Sequence, residues 1–296
     1  MKNLRQISNF KVGQLISGFF ICKQKHVKTT KNGDFYLDLV LSDSTGIVMA
    51  KLWDAVELFE DRFNVGDAVA IKGRVAEFNG NLQLTIQNIN KATHGQYSCY
   101  GFSDELLIRK VEESIEDLWS RLFELIKTLS SPYKKLIKLI LKRNEKKIKN
   151  IPASIDFDYA LKGGYLKKIV ILLEMAIDIL PKFTALDRNL IISGLIIHDI
   201  GKVEIFNDEL MINYSESGEL LGSIGMGLKI LNKTAFMIND FPKNILIRLE
   251  HIIIMDVNKS DLDDLALAKF PEAVFIKSLY SLTLSMDRAI NFSQNK

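Results

Sequence analysis

"FYLDLVLSDSTGIVMAKLWD", residues 35–54, decides the fold of the first third of the chain. Phe35, Leu37, Leu39 and Leu41 alternate with Tyr36, Asp38 and Val40, the two-residue period of a half-buried strand. The chain turns through "SDSTG" (42–46) into "IVMAKLWD" (47–54), which makes the stretch a β-hairpin. Upstream, "VGQLISGFFICKQ" (12–24) reads as a long first strand. Downstream, a short helical segment around "AVELFEDRF" (55–63) precedes "DAVAIKGRV" (67–75) and "NLQLTIQNI" (81–89), which are joined by "AEFNGN". Its Asn79-Gly80 pair is a strong hairpin-turn signal. Five strands with one helix between the third and fourth suit a small closed Greek-key barrel, the OB-fold.

Beyond residue 103 the period becomes helical. Ser103 precedes "DELLIRKVEESIEDLWSRLFELIKTL" (104–129), a long amphipathic pattern with a capping residue and an acidic first turn. Helices continue to the end, with no internal repeat. The expected organisation is α+β and multidomain: a five-stranded barrel over 1–95, a helical linker with a basic amphipathic helix over 96–152, and an all-α domain over 153–296. The basic helix, "PYKKLIKLILKRNEKKIKN" (132–150), sets eight lysines and arginines against Glu145 alone. Such a run reads as a solvated face, a membrane-surface helix or a phosphate contact. Beside an OB barrel the phosphate contact gains weight.

The 296 residues are 47% hydrophobic and 25% charged, a soluble globular balance. A formal charge of +3 is too small to identify a nucleic-acid binder, so local patches decide. Cys22 and Cys99 have neither metal-type spacing nor a disulfide framework, which suits a reducing cytoplasm. Lys11, Gln14 and Ser17 interrupt any apolar signal core near the N-terminus, and "IVILLEMAIDIL" (169–180) is too short to span a bilayer. A cytoplasmic protein without membrane attachment is expected.

An OB-fold holds single strands by stacking bases on aromatic side chains while basic ones follow the phosphates. Phe35, Tyr36, Trp53 and Phe78 interleave with Lys31, Lys51, Lys72 and Arg74, the required mixture. Alternation requires that some of these aromatics fill the barrel instead.

In the helical part, "LIIHDIGK" (195–202) places His198 beside Asp199 in a chain with only four histidines. Imidazole and carboxylate both bind first-row divalent metals, which acidify a bound water and polarise a phosphoryl group. A bare His-Asp pair is weak evidence, and a polar pair closing a core helix is the plainer reading. The longer string is more specific.

With these motifs the chain resembles the YhaM-type 3′-5′ exoribonucleases of bacteria, in which an OB-fold precedes an HD-superfamily phosphohydrolase domain. "GDFYLDLVLSDSTGIVMAKLWD" resembles the barrel's second and third strands, "LIIHDIGK" the central metal motif, and "SESGELLGSIGMG" (215–227) the segment that follows it. The resemblance implies a partner, single-stranded RNA or DNA, with self-association into a homo-oligomer as a further option. It implies catalytic roles for His198, Asp199 and Lys202, and a Mn²⁺ or Mg²⁺ site formed by His198, Asp199, Asp287 and Asp256. His251 also matches the family pattern.

Family histidines are replaced by Lys168 in "GGYLKKIV" and by Ser223, and the family's later histidine pair by Asp256 and Val257. An ammonium beside a divalent cation is repulsive, and Lys168 could instead take the ion's place among the carboxylates. Two expectations follow. One is a metal-dependent enzyme that hydrolyses phosphodiesters from the 3′ end. The other is a catalytically degenerate protein without a cofactor, which binds single strands or acts as a scaffold.

Overall fold

The computed structural model describes residues 4–155, 159–207, 210–255 and 268–294. The chain divides into two compact units, Met1–Lys110 with Asp208–Ile212, and Val111–Asn207 with Asn213–Lys296.

The first unit is the five-stranded OB barrel that the alternation predicts. Its strands are β1 (Leu15–Thr29), β2 (Phe35–Asp43), β3 (Gly46–Leu52), β4 (Ala68–Phe78) and β5 (Asn81–Lys91), closed in the order β1-β2-β3-β5-β4. All pairings are antiparallel except β3 with β5, where Met49–Lys51 run parallel to Gln83–Thr85. Phe20, Leu37, Leu39, Leu41, Val69, Leu84 and Ile89 fill the barrel with no exposed surface. The β2–β3 turn is held by the buried Asp43 carboxylate, which accepts from the backbone N–H groups of Ile7 (2.8 Å), Thr45 (2.7 Å) and Gly46 (3.0 Å). Asn79 and Gly80 both have positive φ, 50° and 78°, as a tight β4–β5 hairpin requires. Between β3 and β4 the expected helix is a single turn, α1 (Val56–Phe59), which buries Val56 and Phe59 against the barrel core. A second short helix, α2 (His94–Tyr97), follows β5.

One expected boundary is corrected. Ser103 caps only a 3₁₀ turn over Asp104–Leu106, and the helix begins after Ser114, whose hydroxyl accepts from Asp117 N–H at 3.3 Å. The intervening chain buries Val111 and gives its N–H to Lys162 O at 3.1 Å. A long-range pairing thus replaces the helical turns that the amphipathic pattern predicts.

The second unit is helical: α3 (Ile115–Leu125), α4 (Tyr133–Asn150), α5 (Gly164–Ile179), α6 (Arg188–Ile197), α7 (Lys202–Ile205), α8 (Glu216–Phe236), α9 (Lys243–Ile254) and α10 (Pro271–Gln294). Asp187 caps α6 by accepting from the N–H groups of Asn189 and Leu190. Every residue from Leu190 to Ile197 is buried, as a helix apolar on all sides must be. α6 is therefore central, packed on α4, α5, α9 and α10, and it delivers His198 and Asp199 into the core at its C-terminal end. No described helix is long and apolar enough to cross a membrane.

Candidate functional site

On the barrel, the β2–β3 register pairs Asp38 with Lys51 and leaves Tyr36 and Trp53 as the next outward pair. Their rings stack with centroids 4.7 Å apart at 29°. Lys51 Nζ lies 5.1 Å from both centroids and 5.7 Å from that of Phe78, at the β4–β5 turn. Trp53 and Phe78 remain 41% and 58% exposed, so these rings do not fill the barrel. An ammonium over ring faces is held by the ring quadrupole, and its charge stays available to solvent. The barrel presents three aromatic faces around one cation, a surface able to stack bases and meet a phosphate.

The other barrel residues differ in position. Arg74 shares a cross-strand row with Lys51, because Thr85 pairs with both, and its side chain is exposed. Lys72, also exposed, lies two residues along β4. Lys31 is exposed in the β1–β2 loop. Phe35 has the parity of the buried Leu37, yet at the strand's start it is 58% exposed. Among the described residues no ring contact joins it to Tyr36 and Trp53. Asp38, the cross-strand partner of Lys51, is ion-paired with Lys28 at 2.5 Å.

In the helical unit, His198, Asp199, Lys202 and Lys168 come together, all buried. Lys202 Nζ lies 2.7 Å from Asp199 Oδ2 and also donates to Ala153 O at 2.8 Å. Tyr280, from α10, donates to the same Asp199 oxygen at 3.1 Å and accepts from Lys168 Nζ at 2.7 Å. Lys168 Nζ is also 4.0 Å from the Tyr280 ring centroid, and the His198 ring meets that ring edge-on at 4.9 Å. His198 Nδ1 bonds Leu195 O at 2.7 Å. A carbonyl needs a donor, so Nδ1 carries the proton and Nε2 the lone pair. Nε2 has no hydrogen-bond partner among the described residues and lies 3.7 Å from Asp199 Oδ2.

The electrostatics follow from burial and the two ammoniums. Burial pushes the His198 imidazole down to about 4, so it is neutral near pH 7. Burial alone would raise Asp199, but Lys202, with further help from Lys168, outweighs it and holds the carboxyl well below the usual range. Burial, with Asp199 nearby, raises the Tyr165 phenol well above its ordinary value.

A divalent ion needs unengaged carboxylate oxygens and several ligands converging on one point. The orphaned Nε2 of His198 suits such an ion; its surroundings do not. The Asp199 oxygen beside it already accepts from Lys202 and Tyr280, and a second ammonium lies one hydrogen bond away. Among the described residues no three His, Cys, Asp or Glu side chains assemble into a ligand group, so His198, Asp199 and Asp287 do not form one. Asp287 lies seven residues beyond Tyr280 on α10, about 10 Å along the axis. Asp256 and Val257 lie outside the described residues. His251 is placed on α9, where it accepts from Lys269 N–H and rests on the Phe270 ring. Among the described residues, the groups around His198 and Asp199 as placed do not fit a divalent ion.

Ser223 enters through its backbone. It follows Gly222, whose φ of 63° and ψ of 176° break α8, and its carbonyl lies against Gly201. A Cβ at Gly201 would fall 1.9 Å from Ser223 O, so the glycine of the "HDIGK" string permits α7 and α8 to touch.

Tyr280 and Tyr165 are absent from the sequence-based site. The signal for Tyr280 was faint: a tyrosine within the apolar helix "FIKSLYSLTL" (275–284), where a buried hydroxyl must find a partner.

Residues 25–92 match the family model of the OB-fold nucleic acid binding domain. The chain is 26% identical over 258 residues to the 3'-5' exoribonuclease YhaM of Listeria monocytogenes, covering 87% of this chain and 81% of that protein. It is 27% identical over 259 residues to the 3'-5' exoribonuclease YhaM of Halalkalibacterium halodurans, covering 87% and 79%. Among solved structures, the second OB-fold domain of replication protein A from Methanococcus maripaludis is 22% identical and covers 29% of this chain and 92% of its own, with a TM-score of 0.25.

Proposed function

We propose that this chain is a cytoplasmic single-stranded nucleic-acid-binding protein of the YhaM 3'-5' exoribonuclease type, with the outward barrel face as its binding surface. One observation carries the reading: Lys51 held among the half-buried ring of Tyr36 and the exposed rings of Trp53 and Phe78. The rings give bases a stacking platform, and every base has a π-face, so recognition is sequence-tolerant. Lys51, Arg74 and Lys72 meet the backbone phosphates. The similarity to named exoribonucleases supports RNA as the strand and hydrolysis from its 3′ end as the activity.

A second reading, strand binding without hydrolysis, is favoured by a different observation. Lys202 and Lys168 supply positive charge at Asp199, where the family resemblance calls for a divalent ion. In this reading the helical unit is a folded scaffold whose buried carboxylate is neutralised from within.

One experiment separates the readings. Purified protein is incubated with end-labelled single-stranded RNA and Mn²⁺ or Mg²⁺, bound metal is measured in parallel, and affinity for single strands and blunt duplex is compared. Shortening from the 3′ end with bound metal supports hydrolysis. Tight binding of intact single strands without bound metal supports the second reading. Equal affinity for duplex and single strand overturns the barrel reading itself.

A further inference from the structure

We propose that the exposed ridge of α4 formed by Lys135, Lys138 and Lys142 is a second contact surface for the phosphate backbone of a single strand. The inference rests on the single-strand reading above, but its evidence lies wholly in the helical unit.

Helix α4 carries eight cations and one carboxylate, and the fold engages many of the cations. Lys147 pairs with Glu204 at 3.1 Å, and Lys149 pairs with Glu116 and Glu145, both at 2.8 Å. Lys134 donates to Lys127 O, and Arg143 to the Met237 sulfur. Glu145, the helix's own carboxylate, is thereby used on Lys149. Lys135, Lys138 and Lys142 are exposed and make no ion pair or hydrogen bond among the described residues. Spaced three and four residues apart, they stand on one ridge, about 10 Å long. Like charges at this spacing repel, and a polyanion laid along the ridge relieves the repulsion.

A basic helix can also serve an anionic membrane, but it then needs an apolar face free to enter the headgroup region. Here that face is spent on the core: Leu136, Ile137, Ile140, Leu141 and Ile148 have no exposed surface. What remains is a water-facing row of ammoniums, which suits a soluble polyanion with regularly spaced charges.

The test uses the full chain, a fluorescein-labelled oligouridylate and chelator-containing buffer, with affinity measured over a range of salt. The variant is Lys135→Gln, Lys138→Gln and Lys142→Gln together. The control, Lys110→Gln, Lys127→Gln and Lys147→Gln, makes the same charge change at lysines already paired with carboxylates. Each lost phosphate contact lowers the slope of log affinity against log salt by about 0.7 for single strands, so the ridge variant should be shallower by about 2. The control should keep the wild-type slope. A ridge variant that binds like wild type, while Trp53→Ala loses affinity, overturns the ridge and leaves the barrel reading intact. Loss in the ridge variant with none in Trp53→Ala does the reverse. If ridge and control lose equally, the effect is net charge alone and the proposal fails. It also fails if the ridge variant loses only cosedimentation with phosphatidylcholine–phosphatidylserine vesicles.

Discussion

Lys202 holds its ammonium 2.7 Å from Asp199 Oδ2 inside the helical unit, with both side chains nearly removed from solvent. Two charges in such a place are tolerable only as a pair, because each alone would carry an uncompensated desolvation penalty. Lys202→Met should therefore destabilise the helical unit by about 3–5 kcal/mol, since it also removes the donor to Ala153 O. Adding Asp199→Asn should recover part of that loss, because the orphaned carboxylate is gone. Urea unfolding followed by far-UV circular dichroism measures both; additive losses would show that the two side chains do not act as a pair.

Acid should weaken the same core through His198. Unfolded, this imidazole takes up its proton near 6.5; buried, it does so only near 4. Between these values the unfolded state binds more protons, so stability rises with pH and is lost on acidification from 6.5 towards 4. The contribution is about 3 kcal/mol, with no further gain above pH 6.5. Asp199 acts in a lower window: its depressed pKa adds stability that is present above the ordinary carboxylate range and lost as pH falls below it. Unfolding free energies of wild type and His198→Leu from pH 7 to 4 decide the matter; parallel curves would remove His198 as the source.

Trp53 stacks on Tyr36 outside the barrel core, so the two roles of this residue should separate. Trp53→Ala should leave the barrel folded and reduce single-strand binding by about 1–3 kcal/mol. Lys51→Met should lower the salt slope by about 0.7. Anisotropy titrations on variants shown to be folded provide the readout, and a Trp53→Ala protein that unfolds without a selective binding loss would return the ring to the core.

Gly201 tests the meaning of the "HDIGK" string. Its α carbon faces Ser223 O so closely that even a methyl group must push α7 and α8 apart. Gly201→Ala should cost about 1–3 kcal/mol, the range for overpacking. An unchanged denaturation midpoint would show that the two helices have room to part.

Local pattern was enough for the barrel and for the place of the His-Asp pair. The two-residue alternation of 35–43, the Asn79-Gly80 turn and the largely apolar run before His198 are properties of neighbouring residues. Each dictates its own backbone before any distant contact forms. Where the helix after Ser103 starts was not legible, because Val111 spends its N–H on Lys162, half a hundred residues away.

Around Asp199, Lys202 is a local neighbour three residues on in the same string, whereas the contacts of Tyr280 and Lys168 were decided by tertiary packing. Tyr280 reaches Asp199 across 81 residues and Lys168 reaches Tyr280 across 112, so no spacing in the chain announces either contact. The same holds for the Phe78 ring, which another hairpin brings to Lys51 beside the Tyr36 and Trp53 rings of its own. Neighbouring residues alone were sufficient for a barrel followed by a helical unit, and for a histidine and an aspartate at the end of an apolar helix. That Tyr280 links Lys168 to the Asp199 carboxylate, and that the Trp53 and Phe78 rings lie on the outer face, could not be read locally, because charge compensation and exposure depend on which distant elements pack together.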